Sequence, residues 1–202
     1  LSNEHKDIIE IVNCASHSDA DKLQNTFYKI SNLSLDQERY NEIYNLGTVK
    51  FIIDTMNKVQ REGPVLISAL GALRNLSPFD ETQVTIINHG IPTIVQTMEI
   101  HDDVTLQKNA LAVLSKVCTK KESVSFVLSS AGLKVIVDVM SKYYIESVEI
   151  LENGCLALEN MILSNTDVKK EVSVLGGIDV VISAMMVHRD NSDFQEIALK
   201  LL

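Results

Sequence analysis

The chain has 202 residues with 27 acidic and 18 basic side chains, a formal charge of −9. That balance argues against a nucleic-acid platform, because phosphate binding needs clustered Lys and Arg and the basic doublets are Lys120-Lys121 and Lys169-Lys170, both expected on solvated turns. With 46% hydrophobic residues, 3 prolines and 5% aromatics, the composition describes an ordered, core-forming chain, and no alternating β-branched run supports a strand.

The elements follow in chain order. Residues 4 to 15, EHKDIIEIVNCA, read as the end of a helix. Asp19 and Asp21 can cap a helix running to about Ser34, with Leu23, Phe27, Ile30 and Leu33 on one face. QERYNEIYNL, residues 37 to 46, is a short helix stopped by Gly47, where a left-handed terminator is expected. A middle helix from Thr48 to about Gln60 precedes Gly63-Pro64, and Pro64 suits the first turn of a long helix ending near Ser77. The pattern of short helix, glycine turn, middle helix, polar loop and long helix then returns. Its next copies are Glu81 to Asn88, Gly90, a middle helix from Pro92, the loop His101-Asp102-Asp103 and Val104 to Cys118. Ser123 to Ser130, Leu133 to about Lys142 and Glu146 to about Leu163 follow, and then Asp167 to Leu175, Ile178 to Val187 and Phe194 to Leu202.

Two markers share the period. One apolar slot is held by Ile30, Leu73, Leu114, Leu158 and Leu202, at separations of 43, 41, 44 and 44 residues. Gly47, Gly90, Gly132 and Gly177 each open an apolar run, TVKFIIDTM, IPTIVQTM, LKVIVDVM and IDVVISAM, that ends in Met. A period in the low forties means a helical solenoid. The series Met98, Met140 and Met185 is expected in its core.

The long-helix signature ALGALRNLS, less closely GCLALENMI, and the glycine before each middle helix in HGIPTIVQTM, AGLKVIVDVM and GGIDVVISAM resemble armadillo repeats of the β-catenin and importin-α type. Two-helix HEAT repeats lack this glycine placement. The resemblance covers nearly the whole chain and implies an all-α, right-handed armadillo-type α-solenoid, a superhelix of about four to five repeats. The repeats would span about 1–46, 47–89, 90–131, 132–176 and a truncated 177–202, as a single array and a fragment of a longer protein.

It also implies a concave groove, lined by the long helices, that holds an extended peptide. In the family an asparagine near the end of each long helix bonds the peptide backbone, and the matching positions here are Asn32, Asn75, Lys116 and Asn160. An amide offers a donor and an acceptor together, so a row of them can pair with an extended chain whatever its side chains. The competing reading has Asn75 and Asn160 satisfying neighbouring turns inside the solenoid. Lys116 interrupts the row and would repel a basic peptide or hold a carboxylate. Importin-type grooves carry a tryptophan one turn earlier. The matching positions are Tyr28, Gly71, Ala112 and Leu156, and the chain has 0 tryptophans, so importin-like recognition of a nuclear-localisation signal ranks last. Tyr28 and Arg74, with Asn109 and Asn153 a turn or two earlier, complete the groove candidates, and the expected ligand is a protein segment, basic or mixed apolar.

Nothing in the pattern points to catalysis. His5, His17, His89, His101 and His188 fall in or near turns without the i, i+4 pairing of a helical metal site, and phosphate loop, nucleophile elbow and CxxC pair are absent. No cofactor or metal is expected. Cys14, Cys118 and Cys155 fit reduced core thiols, no apolar run reaches bilayer length, and LSNEHKDIIE has no signal-peptide pattern, so the expected location is cytoplasmic with the nucleus open. The expected function is a non-catalytic protein-interaction scaffold or adaptor. The alternative is a structural or regulatory armadillo arm of a larger signalling protein, a kinase or a GTPase regulator.

Overall fold

A computed structural model of the chain describes residues 19–202, and every regular element among them is a helix. The helix expected at residues 4 to 15, with His5, Cys14 and His17, lies outside the described residues. Long helix α1 (Ala20–Leu33) is followed by short α2 (Gln37–Asn45), middle α3 (Thr48–Lys58) and long α4 (Gly63–Leu76). Then come α5 (Asp80–His89), α6 (Ile91–Ile100) and α7 (Val104–Val117), and α8 (Lys121–Ser129), α9 (Gly132–Tyr143) and α10 (Val148–Ser164). The series closes with α11 (Asp167–Val174), α12 (Gly177–Val187) and α13 (Ser192–Leu201). These residues form two compact units, divided between Thr93 and Ile94 within α6. No single described helix is long and apolar enough to cross a membrane.

Four of the five described long helices start where a polar side chain takes up one of the first free N–H groups. Asp19 accepts from the Lys22 N–H at 3.1 Å, Asp103 from Leu106 at 2.8 Å, Ser147 from Ile150 at 3.3 Å and Asn191 from Phe194 at 2.9 Å. α4 has no such cap and uses Pro64 in its first turn, where a missing N–H costs nothing. Two glutamines close the ends of the preceding middle helices: Gln107 Nε2 donates to the carbonyls of Met98 (2.8 Å) and His101 (2.7 Å), and Gln195 Nε2 to those of Met185 (2.9 Å) and His188 (3.2 Å).

In the first unit α1 packs on α4, and in the second α10 packs on α7 and α13. Ile30, Leu73, Leu114 and Leu158, the slot read from the sequence, are all buried. Leu202 departs from them, 42% exposed and outside the helix that ends at Leu201. The reason lies in the two faces of a long helix. α10 buries both Ile150, Gly154, Ala157 and the face one residue later, Leu151, Cys155, Leu158, whereas α13 buries Phe194, Ala198 and Leu201 and leaves Leu199 exposed with Leu202. Met98 and Met140 are buried as expected, but Met185 is half-buried. The basic doublets also differ from expectation, since Lys121 opens α8 and Lys169-Lys170 lie within α11.

The repeated glycine has two physical causes rather than one. Gly47 (φ 70°) and Gly176 (φ 80°) take the left-handed conformation that L side chains avoid. Gly90, Gly132 and Gly177 do not, and serve instead as gaps. A Cβ on Gly132 would stand 2.8 Å from Val127 Cγ1 and 3.0 Å from Val95 Cγ2, and one on Gly177 would stand 2.7 Å from Val172 Cγ1 and 3.3 Å from Val137 Cγ2. On Gly90 it would meet Ile53 Cδ1 at 3.0 Å. Before Gly132 the left-handed residue is Ala131, at φ 58°. A residue with a Cβ pays about 1–2 kcal/mol in that conformation. Ala131→Gly is therefore expected to stabilise the protein, by up to about 1 kcal/mol after the entropy of the new glycine is subtracted. Gly176→Ala should destabilise it by about 1 kcal/mol, and urea denaturation of both variants checks the opposite signs.

Candidate functional site

The N-caps set a common register for the long helices. Counted from caps Asp19, Glu62, Asp103 and Ser147, the sixth residue is Asn25, Ser68, Asn109 or Asn153, and the thirteenth is Asn32, Asn75, Lys116 or Asn160. Seven residues are nearly two turns, so both rows lie along one face of each helix, and Tyr28, Gly71, Ala112 and Leu156 lie between them.

In the first unit, Asn75 of α4 donates from Nδ2 to the Ser31 carbonyl (3.0 Å) and the Ser31 hydroxyl (2.9 Å) of α1. The same rung appears in the second unit, where Asn160 of α10 donates from Nδ2 to the Ser115 carbonyl of α7 at 3.3 Å. Each asparagine is half-buried, and neither amide oxygen receives a donor from the described residues. The sequence signal for this rung was present and unread: a serine stands at the twelfth position after the cap in α1 and α7, one long helix before each bonding asparagine.

The other candidates divide by exposure. Asn32, Arg74 and Lys116 are exposed, and Tyr28 is 63% exposed. Tyr28 borders an open hollow of about 390 Å³ with Asp21, Gln24, Asn25 and Ser68, between α1 and α4. Asn109 is buried. Asn153 donates to the Glu149 carbonyl of its own helix at 2.9 Å and accepts from the Ser115 hydroxyl at 3.3 Å, so it is engaged on both sides. The structure thus brings Ser115, Asn153 and Asn160 together between α7 and α10, and Asn75 with Ser31 between α1 and α4.

On α10 and α13 of the second unit the same stripe is acidic. Glu149, Glu152 and Glu159 lie on α10, and Asp193 and Glu196 on α13. The Glu152 carboxyl is held above the usual carboxylate range, first by partial burial and then by the charges of Asp193 and Glu149. Two of these acids are partly answered: Glu149 faces Lys108 at 3.7 Å and Glu196 pairs with Lys200 at 2.8 Å.

Among the described residues no group of His, Cys, Asp and Glu could hold a metal ion. Cys118 and Cys155 are free thiols, and burial pushes both up to about 12, which keeps them protonated and inert at neutral pH. His188, expected as a surface turn residue, is half-buried: its Nε2 donates to the Tyr144 carbonyl at 2.7 Å and its ring meets the Phe194 ring edge-on at 6.0 Å, tying together the turns that precede α10 and α13.

No family model matches the sequence, and no curated protein matches it. Solved structures do. The crystal structure of an engineered protein from the Northeast Structural Genomics Consortium superposes with a TM-score of 0.81 at 18% identity, over 96% of this chain and 77% of that one. A designed armadillo repeat protein, YIII(Dq)4CqI, gives 0.78 at 16% identity over 96% and 79%. The fold is of the armadillo type. Another designed armadillo repeat protein, YIII(Dq.V1)4CPAF, solved in complex with the peptide (KR)4, gives 0.75 at 15% identity over 96% and 78%. The armadillo fold thus carries the three-helix solenoid expected from the sequence.

Truncating Asn75 removes two bonds that tie α1 to α4, so Asn75→Ala is expected to cost about 1–2 kcal/mol. Asn32→Ala, on an exposed position, should stay within about 0.5 kcal/mol. Denaturant midpoints of the two variants test this difference directly.

Proposed function

We propose that the chain is a non-catalytic binding module that holds an extended peptide along the exposed face of its long helices, and that the segment lying over α10 and α13 is basic. The observation that carries this reading is the cluster of Glu149, Glu152 and Asp193, in which partial burial first and then the charges of Asp193 and Glu149 raise the Glu152 carboxyl. A cation placed there relieves the repulsion and gains attraction at a half-buried position where water screens it less. The amide oxygen of Asn160, which receives no donor from the described residues, adds an acceptor for an N–H group of an extended chain. A designed armadillo repeat protein that holds a Lys-Arg peptide gives independent support for this ligand chemistry on the fold. Lys116 on α7 favours a carboxylate or neutral side chain at its own register, so the ligand is of mixed charge rather than uniformly basic. A scaffold or adaptor role in the cytoplasm is the setting consistent with this binding.

Calorimetric titration with a peptide that carries Lys and Arg at one end and Glu at the other tests the reading. Binding should weaken with added salt, fall about two- to five-fold in each of Glu149→Gln and Glu152→Gln, and weaken as the pH drops through the raised Glu152 range, since protonation there removes the charge that attracts the cation. A peptide that fails to bind, or binds equally well to the double variant, would contradict it.

A further inference from the structure

Where α6 ends, the structure leaves an open recess of about 380 Å³, walled by the last residues of α6, the loop that follows, the start of α7 and one side of α9, all within the second unit. It stands apart from the long-helix face. The long helix α7 contributes Gln107, the fourth residue after the cap Asp103, whereas the two rows of that face begin at the sixth.

Gln107 is 2% exposed, and the two halves of its amide are served unequally. Nε2 donates to the carbonyls of Met98 and His101, but Oε1 is buried and receives no hydrogen bond from the described residues. Gln195 closes α12 with the same pair of bonds and is only half-buried. Closing a middle helix therefore does not require the acceptor to be sealed away, and a buried carbonyl oxygen without a donor is costly.

The recess is also amphipathic. Met98, Val135 and Val139 give it an aliphatic wall, and Ile100, 50% exposed, continues that wall outward. Its charged lining is the three carboxylates of Glu99, Asp102 and Asp138 against the single ammonium of Lys142. Lys142 and the Tyr143 hydroxyl engage Asp102, and Lys134 reaches Asp138 from outside the recess, while Glu99 makes no ion pair among the described residues. Exposed pairs of this kind are weak and rearrange at little cost, so the recess keeps an excess of negative charge that a cation can use.

We infer that this recess binds an arginine side chain of a partner protein, the guanidinium giving one N–H to Gln107 Oε1 and others to the carboxylates while the aliphatic stem lies on Val135 and Val139. The donors decide for arginine. A guanidinium carries five N–H groups around the edges of a plane, so one edge can serve the buried oxygen and another the carboxylates. An ammonium is a compact, strongly hydrated charge that loses more water on entering. An apolar side chain would cover the oxygen and the carboxylates without giving them a donor.

The probe is the tripeptide acetyl-Gly-Arg-Gly-amide, whose only charge is the guanidinium, titrated into the 202-residue chain while amide signals are followed by NMR. The Gln107 side-chain NH2 and the backbone amides of Glu99, Asp102, Asp138 and Lys142 should shift saturably. Lysine in place of arginine should weaken binding by at least about five-fold, and citrulline, neutral but of the same shape, by about ten-fold. Glu99→Gln and Asp138→Asn, both at exposed side chains, should each weaken it about two- to three-fold, and Glu171→Gln on α11 should leave it unchanged. Absence of saturable shifts, shifts that leave Gln107 unmoved, or equal affinity for the lysine peptide would overturn the inference. Shifts confined to α10 and α13 and removed by Glu152→Gln would also overturn it, and would leave the proposed function standing, because the arginine would then sit on the long-helix face alone.

Discussion

A side chain of one middle helix pressed against the bare α-carbon at the start of the next is the contact on which the stacking depends. Close-packed interiors transmit a change of a single methyl group, and at Gly132 even one added carbon would stand 3.0 Å from Val95 Cγ2 of the preceding middle helix. The distance between successive middle helices is therefore held by an absence of atoms. Met140 is accommodated in the same way on the long helix, where a Cβ at Gly154 would stand 2.5 Å from its sulfur. With the middle helices seated, the long helices come close enough for Asn75 to reach Ser31 and Asn160 to reach Ser115.

That second consequence shapes the candidate binding face. Asparagine rows on this face could be expected to reserve both halves of their amides for a ligand, yet here the N–H half is spent on the neighbouring helix and the oxygen half remains. The division is economical, because a donor satisfied inside the protein fixes the side-chain rotamer and leaves the acceptor oriented, lowering the entropy lost when a peptide N–H arrives. Charge then separates one part of the face from another. α7 contributes Lys108 and Lys116, whereas α10 and α13 contribute five carboxylates, Glu149, Glu152, Glu159, Asp193 and Glu196.

The repeat was legible in the sequence because stacking forces a glycine gap at Gly90, Gly132 and Gly177 and a buried aliphatic slot at Ile30, Leu73, Leu114 and Leu158. Helix bounds followed from caps and prolines, within a residue or two at Thr48–Lys58, Gly63–Leu76 and Val104–Val117. What escaped the sequence depended on neighbours across some 44 positions. Gly90 and Gly177 look alike with Gly47, yet only Gly47 of these three has a positive φ, while Ala131 takes the left-handed turn without a glycine's help. Leu202 has the right residue type at the right spacing but stands outside the packed face that Phe194, Ala198 and Leu201 define. The bond from Asn75 to Ser31 and that from His188 to Tyr144 each link residues 44 apart, so they become visible only when the helices are side by side.

The most direct measurement is a residue-resolved hydrogen-exchange profile of Gly132→Val beside Ser141→Val, an exposed position in the same helix that controls for helix propensity. If the glycine gap holds the stack, Gly132→Val will strip protection from α8 and α9 and reduce it in α10, while α1 to α3 in the other unit keep theirs and Ser141→Val leaves the whole profile unchanged. Protection in α8 and α9 that survives Gly132→Val, or that falls equally with Ser141→Val, would contradict the account.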